Sequence, residues 1–363
     1  MVRTPGVGTA FFLWRVNRLV ASHAALDLLR TGLRLELFQD LREPRAPAEL
    51  AARRGLDPEL LFSWLRACHA QGIVSERRGH YRIRRFTRRL LDDPEAEALR
   101  ARLDLAAGTV ADRLDRLPEL LAGAPRPAFG SREEHREAAA SAGLLHERAL
   151  AALLRVPGAA EARRILDLGC GDGRWLATWL TRFRDSTGVG VERDPALAER
   201  ARARLREADV WRRGEVRVSD LASDPLPTGV FDLVLIAHTL HYLPARGHQP
   251  LFERIRPHLS AGGLLAIVTP LVSVNRLSRL LGLASGTAVL DLFLRSHRNL
   301  HGLPEPERVM AALRRAGYAE VGRRRVTPGG TALLLYARAP AEGAPSLSPG
   351  PLSSTTFPSG SRT

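Results

Sequence analysis

Apolar residues between about Val16 and Leu41 recur at helical spacing. Leu28, Leu29, Leu33, Leu37 and Phe38 can share one stripe, which predicts an amphipathic helix. Pro47 to Arg54 reads as a short helix stopped by Gly55. Asp57-Pro58 then supplies an N-cap and a first-turn proline for a second helix reaching about Gln71. Gly72 closes that helix. Ile73-Val74-Ser75 and His80-Tyr81-Arg82-Ile83 predict two short strands around the turn Arg77-Arg78-Gly79, and helix, turn, helix and hairpin make a winged helix. From Pro94 to about Pro157 the pattern is helical again, interrupted by a loop from Gly123 to Gly130.

After that, strands and helices alternate. Strands are expected at Arg164–Leu168, Thr187–Glu192, Glu215–Ser219, Phe231–Ala237 and Leu264–Thr269, and helices at Arg174–Phe183, Pro195–Ala208, Gln249–Leu259 and Glu305–Ala316. Such alternation implies a parallel sheet with crossover helices. Glu320–Val326 and Ala332–Ala337, joined through Thr327-Pro328-Gly329-Gly330, can add an antiparallel edge. The fold class expected is therefore α/β, a Rossmann-like domain preceded by an α-rich winged-helix domain. The expected division is 1–95 winged helix, 96–160 helical connector, 161–339 Rossmann-like domain and 340–363 disordered tail of Pro, Ser, Gly and Thr.

Composition narrows the classes. With 363 residues, 45% hydrophobic and 26% charged, the chain matches a globular protein of about two domains. The uncharged run Leu259 to Asn275 is broken by Gly262, Gly263 and Pro270 and reads as a strand with flanks, so no membrane partner is expected. The apolar patch at Phe11 to Trp14 is followed by Arg15 and Arg18 without a small-residue cleavage site, and the expected compartment is the cytoplasm. Two cysteines, Cys68 and Cys170, build neither a disulfide framework nor a zinc site, and no metal is expected. The net charge of +15 comes entirely from Arg, a sign of coding bias more than of a polyanionic partner. The wing holds Arg77, Arg78, Arg82, Arg84, Arg85, Arg88 and Arg89. The helix that would enter a DNA groove offers only Glu59, Ser63, Arg66 and His69, a poor set for base edges, so nucleic acid is not the expected partner.

The strongest chemical signal is Ile165-Leu-Asp-Leu-Gly-Cys-Gly-Asp-Gly173, an apolar strand running into glycines and then a helix. Gly169, Gly171 and Gly173 allow a sharp turn and leave room for a ligand against the main chain. A dinucleotide fingerprint would place its third glycine at position 174, where this chain has Arg174. Glu192 ends the second strand 23 residues after Gly169, the spacing at which a carboxylate accepts from both ribose hydroxyls. A third strand ends in Asp220-Leu221. Three acids at successive strand ends converge on one crevice, where open parallel sheets bind ligands.

The nonet resembles the first motif of class I S-adenosylmethionine-dependent methyltransferases. The resemblance implies S-adenosyl-L-methionine as cofactor, with Asp167 serving the amino group of its methionine end. It further implies Glu192 on the ribose, Asp220 on the adenine exocyclic amine and Leu221 packed on the ring. The N-terminal part, Ala48-Glu-Leu-Ala-Ala-Arg-Arg-Gly-Leu-Asp-Pro58, is similar to the winged-helix dimerisation domain of small-molecule O-methyltransferases. A homodimer is thereby implied, with the stripe through Leu28, Leu29, Leu33 and Phe38 seeking a partner. In that family a Leu-His pair after strand four provides a general base. Leu240-His241 occupies the matching place, with Tyr242 and Leu243 where an acid and a Trp usually follow, and Asn299-Leu-His-Gly-Leu-Pro304 where a stretch that orients the His is usual. His241 is the candidate base, expected to titrate near free imidazole, roughly 6.5, with a packing role as its alternative. His238 is expected to wall the methionine pocket. The function expected is methyl transfer to a small, partly aromatic molecule at a hydroxyl. The alternatives are a nitrogen or carbon acceptor, or a cofactor-sensing DNA-binding regulator.

Overall fold

The computed structural model describes residues 7–93, 96–271, 283–327 and 331–341, so the expected tail from residue 342 on and the turn at Pro328 to Gly330 lie outside the described residues. The chain divides into two compact units, residues 1–147 with 292–299, and residues 148–291 with 300–363.

In the first unit the expected long helix begins earlier and ends sooner. It spans Val7–Arg34, and Glu36 takes the left-handed conformation (φ 54°) before a short helix Leu37–Asp40. Pro47–Arg54 is stopped by left-handed Gly55, and Asp57 caps Pro58–Ala70 by accepting from the Leu60 N–H at 2.7 Å. Strands β1 (Val74–Arg77) and β2 (His80–Ile83) pair antiparallel, and an Arg45–Tyr81 bridge extends the hairpin. Phe38, Leu41, Leu50, Leu65, Cys68 and Val74 are buried together. The stripe expected to seek a partner is consumed here. Leu29 and Phe38 belong to this core, and Leu28 and Leu33 pack against it. Gly32 makes this possible, because a Cβ there would fall 2.3 Å from the Phe38 ring. The exposed apolar side chains are instead Phe11, Phe12, Leu13, Trp14, Leu19 and Val20. On Pro58–Ala70 the outward residues Glu59, Ser63, Arg66 and His69 are joined by exposed Leu60 and Phe62. Beyond it, Ala96–Leu105 runs into a wide π turn, Ala106–Val110, before Ala111–Asp115 and Leu117–Leu121.

The second unit is built on a seven-stranded sheet of β3 (Arg164–Leu168), β4 (Thr187–Glu192), β5 (Gly214–Val218), β6 (Phe231–Ala237), β7 (Leu259–Pro270), β8 (Ala319–Arg325) and β9 (Ala332–Arg338), in the order β5-β4-β3-β6-β7-β9-β8. The first five run parallel, and β9 and β8 form the antiparallel edge. Helices Arg174–Arg182, Pro195–Glu207 and Ala245–Ile255 follow β3, β4 and β6. The core joins Leu166, Leu168, Val234, Ile236, Leu265 and Ile267 of the strands to Phe252 and Ile255 of the last helix. Arginine side chains close several exposed backbone ends. Arg213 donates to the carbonyls of Leu180, Phe183 and Ser186 at 2.7, 3.1 and 2.9 Å. The chain leaves β3 toward β4 and β5 on one side and returns to β6 and β7 on the other. The strand order therefore reverses beside β3, and a crevice opens at that switch point.

Candidate active site

β3 delivers Asp167 next to the glycine turn. The Gly169 and Cys170 N–H groups both donate to the Val191 carbonyl, at 2.8 and 2.9 Å, which ties the turn to β4. Gly169, Gly171 and Gly173 all have positive φ (75°, 56° and 75°). At two of them space matters as much as dihedral. A Cβ on Gly169 would lie 2.5 Å from Thr239 Oγ1, and one on Gly173 would lie 2.8 Å from the Ala201 Cβ, so a side chain would push the turn from its neighbours.

Glu192 is already held in place. Its Oε2 accepts from the Gly171 N–H and its Oε1 from the Asp194 N–H, both at 2.9 Å, leaving lone pairs on each oxygen. Asp220 Oδ1 accepts from the Ala222 N–H at 2.9 Å, and Arg193 lies 3.9 Å from its Oδ2. Leu221 follows, half-buried against the sheet core. Asp167 differs from both acids. It is 1% exposed, and neither carboxylate oxygen has a hydrogen-bond partner. Burial, reinforced by Glu192 and then Asp172, pushes its pKa up to about 8. Asp172 itself is satisfied by Arg204 at 2.6 Å, with Arg174 at 3.6 Å. This second acid of the nonet escaped the sequence reading. Its sign was the Asp at position 172 with arginines at 174 and 204.

From the end of β6 come the histidines. His238 is left-handed (φ 55°) and its N–H donates to the Val268 carbonyl of β7 at 2.9 Å. Left-handed backbone in a residue with a side chain costs on the order of 1–3 kcal/mol. A 3₁₀ turn, Leu240–Tyr242, then carries His241. It is fixed from two sides, as the His301 N–H donates to the His241 carbonyl at 2.8 Å and the His248 ring meets the Leu240 carbonyl at 3.2 Å. The ordinary imidazole titration expected for His241 is not what its surroundings give. Burial, then His238 and His301, push its pKa down to about 3, and burial pushes His238 down to about 4. Both rings keep some exposed surface but lie among enough protein atoms for burial to be the leading cause. His301 lies in Asn299-Leu-His-Gly-Leu-Pro304, the stretch expected where a His-orienting segment is usual, but it was given no role of its own, and its contact with His241 is through the backbone.

The structure thus gathers Asp167, Gly169, Gly171, Gly173 and Glu192 around one turn, and adds the loop of Thr239 through its contact with Gly169. A small ligand bearing an ammonium group fits this arrangement, because a buried carboxyl with both oxygens unspent lacks only a donor. Among the described residues no group of His, Cys, Asp or Glu is arranged to hold a metal ion, and no helix is long and apolar enough to cross a membrane.

Comparison with known proteins agrees with this geometry. Residues 165–263 match a methyltransferase domain. The trans-aconitate 2-methyltransferase of Variovorax paradoxus is 34% identical over 118 residues, which are 32% of this chain and 42% of the relative. That of Methylobacterium radiotolerans is 37% identical over 119 residues, with the same shares. The chain thus spans less than half the length of these curated relatives. Over nearly its whole length it shares a fold with an O-methyltransferase family protein from Burkholderia thailandensis, with TM-score 0.73 and 22% identity, covering 91% of this chain and 98% of the other. Human N-acetylserotonin methyltransferase, solved with S-adenosylmethionine, gives TM-score 0.73 at 17% identity, covering 94% and 100%. The match to a methyltransferase domain spans the glycine turn, Glu192 and the loop of His238 and His241, and the fold is that of a protein solved with S-adenosylmethionine bound.

Proposed function

We propose that the chain is an S-adenosylmethionine-dependent methyltransferase that methylates a hydroxyl of a small, partly aromatic molecule. The observation that carries the reading is Asp167, a buried carboxyl with no partner beside a glycine turn whose other acid, Glu192, is preset by backbone N–H groups. Bound there, the cofactor supplies a methyl group on a sulfonium that is already a good leaving group. The chain's own work is to bind and position. Asp167 takes the ammonium of the methionine end, Glu192 the ribose hydroxyls, Asp220 the adenine amine, and Leu221 the face of the ring. His238 walls the methionine end.

His241 receives the hydroxyl proton of the acceptor. With its pKa held down, the imidazole is in its neutral, accepting form at any physiological pH. The same burial makes the imidazolium unfavourable, so positioning carries more of the rate than proton removal. The hydroxyl acceptor is supported by the O-methyltransferase fold relatives and by this neutral imidazole.

Cofactor binding tests the reading. Glu192→Ala removes a charge-assisted contact of about 1.5–3 kcal/mol, so calorimetry is expected to show a roughly tenfold to hundredfold loss of affinity. Unchanged affinity overturns the assignment.

The N-terminal domain holds a homodimer in this reading, through the exposed apolar residues Phe11, Phe12, Leu13, Trp14 and Val20 of the helix Val7–Arg34 instead of the buried stripe. Replacing Phe11 and Trp14 together with Glu is expected to shift light scattering at micromolar concentration from dimer to monomer. A wild-type monomer refutes this.

A further inference from the structure

The first unit holds a second set of unspent polar atoms. A cavity of about 300 Å³, at the lower end of small-molecule pockets, is lined by Thr109, Asp112, Arg113, Arg116, Ser131 and Glu134. Arg113 is half-buried, and its Nε and Nη1 are shut off from solvent with no hydrogen-bond partner. Its neighbours are committed elsewhere. The Ser131 hydroxyl accepts from the Glu134 N–H at 3.1 Å, and Glu134 Oε2 accepts from the N–H groups of Gly130 and Ser131 at 3.0 and 2.8 Å. Thr109, in the π turn Ala106–Val110, donates to Glu137 at 2.8 Å, and Arg116 lies 3.6 Å from Glu119. Such turns recur at functional sites because they open the helix wall.

A second group points the same way. His297 is 1% exposed, its Nδ1 meets the Phe293 carbonyl at 2.8 Å, and its Nε2 has no partner. Both Arg113 and Glu134 lie near enough to act on its charge. Unpartnered donors of this kind cost about 1–3 kcal/mol when buried.

We propose that this cavity binds a small organic monocarboxylate on the Arg113 guanidinium. The planar fork of N–H donors matches a carboxylate, which supplies the acceptors the fold does not. The lining decides the ligand's charge. Arg113 and Arg116 face Asp112 and Glu134, so the wall is balanced and a single negative charge is tolerated where a phosphate dianion meets two carboxylates. The site is independent of the methyl-transfer reading, since its test needs neither cofactor nor activity.

Calorimetry on the full chain without cofactor, with salicylate, its neutral analogue salicylamide and inorganic phosphate, tests it. Salicylate is expected to bind at least about tenfold more tightly than either control, and Arg113→Met to weaken it by at least about tenfold. The Met variant is also expected to melt at a higher temperature than the ligand-free wild type, because it removes donors that had nothing to bond. Should that variant fail to fold, Arg113→Lys, which keeps the charge but loses the fork, is expected to weaken salicylate with little change in melting. The proposal is overturned if salicylate does not bind at millimolar concentration or if phosphate binds more tightly. It is equally overturned if Arg113→Met or Arg113→Lys binds salicylate as the wild type does, or if Arg113→Met melts lower, which would mark Arg113 as a structural group satisfied through water.

Discussion

Asp167 in the sheet unit and Arg113 in the helical unit both hold hydrogen-bonding atoms buried without partners, and their surroundings handle the charge in opposite ways. Around Asp167 burial and two further acids, Glu192 and Asp172, favour the protonated carboxyl, which waits uncharged at a pKa of about 8. A guanidinium cannot shed its proton at physiological pH. Burial lowers the Arg113 pKa, but the charge stays, and Glu134 offsets part of it. A buried acid can thus store its binding capacity in neutral form, whereas a buried arginine keeps its charge throughout. If Asp167 takes an ammonium as proposed, that capture is tied to proton release, whereas capture of a carboxylate at Arg113 would not be.

The largest effect expected on the sheet side concerns turnover. With a methyl acceptor in hand, His241→Ala should lower the rate about 10²-fold, the lower end of the general-base range, while cofactor affinity stays nearly unchanged. His238→Ala should weaken binding more than turnover. Because the His241 pKa is pushed down to about 3, the rate should not rise between pH 5 and 7 on its account. A rise with a midpoint near 6.5, lost in His241→Ala, would show that the bound enzyme gives this ring an ordinary imidazole environment.

Next comes the proton itself. Calorimetry at pH 7 in buffers of different ionisation enthalpy should show close to one proton released per cofactor bound. Asp167→Asn should abolish that release and lose roughly tenfold to hundredfold in affinity. Release unchanged by the substitution would separate the raised pKa from cofactor capture and break the comparison.

The smallest effect is on ligand-free stability. The folded pKa of Asp167 lies above its ordinary value of 3.8, so the folded state binds the extra proton. The contribution of Asp167 to stability is then fullest below about pH 4 and declines toward pH 8, by up to about 1.4 kcal/mol per pH unit. Relative to wild type, Asp167→Asn should gain in melting temperature across that window and level off above it. An advantage independent of pH would contradict the neutral, waiting carboxyl.

The sheet unit was legible because its information is local. Thr187–Glu192 and Phe231–Ala237 appear at the expected bounds, since β-branched runs and glycine turns fix strand ends within a few residues. Asp167 and Glu192 meet at one turn for the same reason. The helical unit was less legible because helix periodicity gives a face but not what covers it. The Leu29 and Phe38 stripe turned inward once Gly32 let the Phe38 ring lie on the helix backbone. Arg113 and His297 come from segments nearly two hundred residues apart in sequence, and His301 reaches His241 across 60 residues. No spacing rule announces such meetings.

The clamp made by Arg213 bears on how this protein can be handled in the laboratory. Three carbonyls share one guanidinium, and the single rotating ammonium of a lysine cannot serve all of them at once. The sequence contains no lysine, so no side-chain amine is available to succinimidyl dyes or amine cross-linkers. Introducing one lysine at an exposed arginine that holds no backbone group, such as Arg15, would create a single addressable side-chain amine for attaching a fluorophore. The same exchange at Arg213 would loosen the turn that joins Arg174–Arg182 to β4.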